Sequence, residues 1–115
     1  MSEVVNVAHP HEDNTMSIKI GNYNFDGPYG STNSLENKSG VYVILDCNSN
    51  DSCKVIDIGE SKEVKDRVEN HDREGCWTRN VSNTRKYAVK YCSESDRMQI
   101  EQELRKQYNP PCGKQ

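Results

Sequence analysis

The stretch that decides the fold is Gly40-Val-Tyr-Val-Ile-Leu-Asp46, followed after a polar loop by Lys54-Val-Ile-Asp-Ile-Gly59. The first run is β-rich and nearly continuous in apolar residues, as a central strand buried on both faces requires. Cys47-Asn-Ser-Asn-Asp-Ser52 between them is hairpin-loop chemistry, so the two runs form an antiparallel pair.

Downstream, Ser61 is a good N-cap, and the spacing predicts a helix from it to about Asp72. Val64, Arg67, Val68 and His71 fall at i, i+3, i+4 and i+7, on the inward stripe. Lys62, Glu63, Lys65, Asp66, Glu69 and Asn70 make a solvated face. Arg67 and His71 on an apolar stripe are costly unless partnered. Residues 72–84 read as a polar connection around the single tryptophan, Trp77, a core plug with base stacking as the sharper alternative.

Arg85 to Cys92 alternates as a third strand, and Ser93 or Ser95 caps a last helix to about Gln107. Ile100, Leu104 and Tyr108 give that helix its inner face, with Glu101 beside them, and Pro110-Pro111 stops it. Upstream, residues 16–25 alternate well enough for one strand or half a hairpin. Residues 26–34 are dense in turn residues and read as a long loop. Residues 1–15 show no periodicity and are expected to be a flexible tail. His9 and His11 there read as solvated before they read as a metal pair.

The expected order is therefore β-β-α-β-α. It describes an α+β domain with a small three-stranded, mostly antiparallel sheet, flanking helices and an N-terminal extension that offers an extra strand. One domain spans residues 16–115, with its core in 39–113.

Composition bounds the function. The 115 residues suit one domain and are only 32% apolar, with a mean hydropathy of −1.00. No apolar run approaches the roughly 20 residues of a membrane span, and Met1 to Asn6 lacks signal-peptide character, so a cytoplasmic location is expected. A formal net charge of −3 argues weakly against tight non-specific DNA binding while permitting a local basic stripe. The five cysteines are odd in number and form no CxxC, which reads as free thiols rather than a disulfide framework. A zinc site from His71, Cys76 and another cysteine matches no common spacing.

Tyr42, Asp57, Arg67, His71 and Glu101 are residue types that phosphodiester cleavage uses. A tyrosine or histidine serves as general base, an arginine presents a fixed fork to phosphate, and a carboxylate holds a largely hydrated Mg²⁺. Taken singly, each has an ordinary structural explanation. Glu101, for instance, has Arg97 at i−4 and Arg105 at i+4.

Taken in order, the segments Ser39–Tyr42, Val55-Ile-Asp-Ile-Gly-Glu-Ser61, Val64-x-x-Arg67-Val68-x-x-His71 and Arg97-x-x-x-Glu101-x-x-Leu104 resemble the GIY-YIG nuclease family over about residues 39–113. The resemblance implies a Mg²⁺- or Mn²⁺-dependent endonuclease acting on DNA, or on RNA. On it, Tyr42 would position or deprotonate the attacking water and Arg67 would bind the scissile phosphate. His71 would assist proton transfer or orient the phosphate, and Glu101 would be the protein ligand of the metal. Gly59 would let the strand end turn and approach substrate, with Ser61 beside it.

Asp57 stands where the family has its second tyrosine. It is a second Mg²⁺ ligand, an ion-pair partner of Arg67, or a mark of lost activity. Cys112-Gly113 occupy the place of the family's late asparagine, and Asn109 reads as a helix-ending residue. The alternatives to an active nuclease are an inactive module that binds nucleic acid or protein through the same cleft, and an interaction domain using Trp77 and the N-terminal extension.

Overall fold

The computed structural model describes Val4–Asn6 and residues 16–113. Six strands form one sheet: β1 (Val4–Asn6), β2 (Ser17–Ile20), β3 (Tyr23–Tyr29), β4 (Gly40–Cys47), β5 (Ser52–Ser61) and β6 (Thr84–Tyr91). Their spatial order is β1-β5-β4-β6-β3-β2, and every neighbouring pair is antiparallel. Helices α1 (Val64–Glu69) and α2 (Glu74–Asn80) lie between β5 and β6, and α3 (Glu94–Tyr108) follows β6. A single 3₁₀ turn spans Thr32–Ser34.

The α+β class stands, but the expected three-stranded sheet is wrong. Residues 16–25 do not supply a single strand. They turn at Gly21 and form the β2–β3 hairpin, pairing Ile18 with Phe25. Residues 26–29, expected in a loop, continue β3 onto β6. Gly27 and Pro28 read as turn chemistry, but they sit where the register shifts between Asp26 and Tyr29. An irregularity of that kind is one of the few places a sheet accepts proline. The expectation of a flexible tail over residues 1–15 fails at Val4–Asn6, which pairs with Lys54 to Ser52. Its remainder, with His9 and His11, lies outside the described residues.

Both helical expectations in the middle of the chain also change. The first helix ends at Glu69 rather than Asp72 and starts at Val64, after Glu63 as N-cap. Ser61 ends β5 instead, where its Oγ accepts the Glu63 N–H at 3.0 Å. The polar connection contains α2, which buries only Trp77 and so shows no repeat for a pattern to catch.

Strand β4 is buried along its full length, as the apolar run required. Alternate residues feed two cores. Val41, Val43 and Leu45 join Ile18, Phe25, Ile58, Ile100 and Leu104 under α3. Tyr42 and Ile44 join Ile56, Val64, Val68, Trp77 and Val89 under α1 and α2. The register shifts between Ile44 and Leu45, whose partners are Asp57 and Val55. Ile56 is thus the extra residue of a bulge, and Ile56 and Asp57 both serve the α1–α2 side.

The thiol expectation is overturned. Cys47 is bonded to Cys53, its register partner across the β4–β5 hairpin, and Cys76 on α2 to Cys112. Cys92 is free. Hairpin register and the C-terminal segment bring together cysteines whose sequence spacing suggested no pairing.

Candidate active site

Tyr42 and His71 are the centre of the site. Tyr42 projects from β4 on the α1–α2 side, and His71 follows α1 in the turn that leads into α2. Tyr42 Oη lies 2.6 Å from His71 Nε2. Both residues are buried, and the rings meet edge to face.

The tautomer follows from the other ring nitrogen. The Arg73 backbone N–H donates to His71 Nδ1 at 3.0 Å, so in the neutral ring Nδ1 is the acceptor and Nε2 carries the proton. His71 therefore donates to Tyr42, and the phenolic proton is free to point elsewhere. Burial, with the positive charges of Arg67 and Arg73, lowers the His71 pKa to about 4. Burial, with the negative charge of Asp57, raises that of Tyr42 to about 12. Both side chains are neutral around pH 7.

Gly59 makes this placement of Tyr42 possible. It is the register partner of Tyr42 on β5, and a Cβ there would fall inside the phenol ring. The expectation that Gly59 serves a turn at the strand end is corrected: it lies within β5 and seats the Tyr42 side chain.

Asp57 neither pairs with Arg67 nor has an oxygen free for a metal. Its carboxylate is fully buried and accepts from five donors. Oδ1 takes Ile58 N–H at 2.8 Å, Arg105 Nη2 at 2.7 Å and Arg73 Nη2 at 3.3 Å. Oδ2 takes Arg73 Nε at 2.8 Å and Trp77 Nε1 at 2.7 Å. A buried carboxylate this fully partnered is a structural keystone. Trp77 is thereby both the expected core plug and a donor, and its ring lies 4.7 Å from that of His71.

Arg67 pairs with Asp72 at 2.9 Å, in a contact exposed on both sides. A solvent-exposed pair of this kind is weak, so a phosphate can compete for the guanidinium. The same Asp72 Oδ1 lies 3.3 Å from His71 Nδ1, so Arg67 and His71 approach one carboxylate oxygen.

Glu101 is tied to the Asp57 cluster through Arg105, along the edge of β5. Strand β1 pairs with β5 only as far as Lys54. Beyond that point α3 runs beside the edge: Arg97 meets Glu60 at 2.7 Å, and Arg105 bonds the Ile58 carbonyl while reaching round to Asp57. Glu101 lies one turn from each. Its Oε2 accepts from Arg105 Nε at 3.0 Å, and among the described residues Oε1 has no hydrogen-bond partner. That leaves one partly exposed carboxylate oxygen for a cation that retains most of its waters. Among the described residues, no group of three His, Cys, Asp or Glu could hold a metal ion. Between Asp57 and Glu101, it is Glu101 that keeps an oxygen for a cation, since both oxygens of Asp57 are taken.

Arg105 is fully committed. Besides Glu101, Asp57 and Ile58, it donates to the Gly113 carbonyl at 3.0 Å. Gly113 has φ +79°, and a Cβ there would strike the Arg105 guanidinium, so the arginine depends on glycine at this position. The segment from Asn109 to Gly113 crosses the β5 edge, where Cys112 N–H donates to the Ile56 carbonyl at 3.1 Å. Arg73 and Arg105 escaped the sequence reading. Asp57 itself was the available signal, since a carboxylate amid strand residues demands cations.

No protein-family model, curated protein or solved structure matches the chain. The family resemblance rests on the residues themselves. No helix among the described residues is long and apolar enough to cross a membrane.

Proposed function

We propose that this protein is a metal-dependent endonuclease that hydrolyses DNA phosphodiester bonds. One observation carries the reading. The Tyr42–His71 pair, 2.6 Å apart, shares Asp72 with the loosely held Arg67. A phosphate on Arg67 would be drawn toward the phenolic proton that His71 leaves free.

In this reading Arg67 holds the scissile phosphate and compensates its charge in the transition state. Tyr42, neutral and anchored by the His71 Nε2–H, donates to a phosphoryl oxygen or orients the attacking water. With its pKa raised to about 12, it is a positioning donor rather than a standing base. His71 fixes Tyr42 and stays uncharged. Glu101 would hold Mg²⁺ or Mn²⁺, which when bound supplies positive charge and lowers the pKa of coordinated water. In this reading Ser61, at the end of β5, would add a substrate contact. A cytoplasmic site of action goes with this reading, and there both cystine pairs would be exposed to reduction.

The saturation of Asp57 favours a second reading, an inactive relative that binds nucleic acid or a protein partner. The position of the family's second tyrosine is spent on packing, so no hydroxyl is offered there.

Incubation with supercoiled plasmid, single-stranded DNA and RNA, under Mg²⁺, Mn²⁺ or EDTA, separates the two. The nuclease reading expects metal-dependent nicking that Glu101→Ala and Arg67→Ala abolish. Folded protein that cleaves none of the substrates leaves the binding module.

A further inference from the structure

Two arginines hold Asp57, and they differ in what they have left to give. Arg105 spends donors from all three guanidinium nitrogens on Glu101, Asp57 and the carbonyls of Ile58 and Gly113. Arg73 uses only Nε and Nη2, both on Asp57. Its Nη1 donates to no described residue, and its side chain is 30% exposed while the carboxylate it grips is fully buried.

The Arg73 backbone is fixed as well. Its N–H is bonded to His71 Nδ1, and the residue is the N-cap of α2. The guanidinium is thus anchored on the carboxylate oxygen that also holds Trp77 Nε1, and the Trp77 ring lies 4.7 Å from that of His71. An arginine held on a buried carboxylate, with an outward Nη1, has been oriented before any ligand arrives.

We propose that Arg73 is a second phosphate-binding residue of the Tyr42–His71 site and that Asp57 is its positioning residue. The aspartate would then replace a tyrosine hydroxyl with a guanidinium, delivered from α2. This inference rests on the nucleic-acid reading above, and it names a contact that reading does not need. Its ligand is the phosphodiester backbone, recognised by charge and donor geometry and not by base sequence.

The test is binding of a short fluorescein-labelled DNA duplex to the full chain in EDTA, read by anisotropy over a KCl series. Each phosphate contact adds about 0.9 to the slope of log affinity against log salt. Arg73→Gln keeps an N–H for Asp57 and removes the charge. It is expected to lower that slope by about one contact's worth and to weaken binding at low salt. Arg73→Lys keeps the charge and should hold the slope while losing affinity. Arg79→Gln removes the same charge from an exposed position on α2 and should match the wild type.

Near-UV circular dichroism from Trp77 reports whether each variant retains the Asp57 cluster. Folded Arg73→Gln protein with wild-type slope and affinity overturns the inference. If Arg67→Gln then still weakens binding, the phosphodiester reading survives alone. Equal losses from Arg73→Gln and Arg79→Gln also overturn it, reducing the effect to bulk charge. Wild-type protein that binds no duplex sinks both readings together.

Discussion

The two faces of the sheet draw on the same strands and do different work. Under α3 the core is aliphatic and aromatic, from Ile18 and Phe25 through Val43 to Leu104. Under α1 and α2, alternate residues of β4 and β5 place Tyr42 and Asp57 in a core that also takes in His71 and Trp77. One face is held by packing that is indifferent to charge. The other is held by a buried carboxylate with five donors, where each group depends on the rest. A strand with period two can therefore carry stability on one side and a charged constellation on the other, provided the second side is fully partnered.

Removing the keystone should give the largest effect. Asp57→Ala leaves the Arg73 guanidinium and the Trp77 N–H unpaired and takes one of several partners from Arg105, at a cost of about 3–5 kcal/mol. Leu104→Ala on the opposite face opens a cavity at a comparable about 2–5 kcal/mol. Urea titration gives both numbers, and Trp77 fluorescence separates them. Asp57→Ala should alter the native spectrum, while Leu104→Ala should change only the midpoint. Identical native spectra would mean that the faces are not independent.

Next in size is Gly59→Ala, which drives a methyl group into the Tyr42 ring. The expected loss is about 1–3 kcal/mol, as for other overpacked sites. In a Tyr42→Ala background the same substitution should cost almost nothing. A double-mutant cycle measures that coupling, and additive losses would show that Gly59 does something other than seat the tyrosine.

A third difference between the faces is a pH dependence confined to the polar one. The pKa of His71 falls from 6.5 to about 4 on folding, so the unfolded chain takes up the proton first. The stability tied to neutral His71 is complete above pH 6.5 and drains away as pH falls toward 4. Thermal midpoints across this window should fall more steeply for the wild type than for His71→Gln. Parallel curves would place the imidazole in water.

How much of this could be read in advance depended on the face. Strands β4 and β5, and the inner positions Ile100, Leu104 and Tyr108 of α3, announce themselves by apolar runs and period. The β2–β3 hairpin was half visible, because Gly27 and Pro28 carry turn chemistry into a strand. Helix α2 was invisible, since a helix that buries one residue has no periodicity.

Of the site, Tyr42 and His71 meet at 2.6 Å, and His71 does not share a helical stripe with Arg67, because α1 stops at Glu69. Asp57 was legible as a problem and illegible as a solution. Its partners lie 16 and 48 residues away, and no local pattern joins them. Cys76 and Cys112, 36 residues apart, were hidden for the same reason.

The C-terminal crossing has a further consequence for life at high concentration. A strand edge with unpaired carbonyls is a template on which another chain can add a strand and begin to polymerise. Along β5 the acceptors of Ile56 and Ile58 are already occupied, by Cys112 and Arg105. The segment that completes the arginine cluster thus also acts as a stopper, and a chain lacking it would present a sticky edge to its own copies.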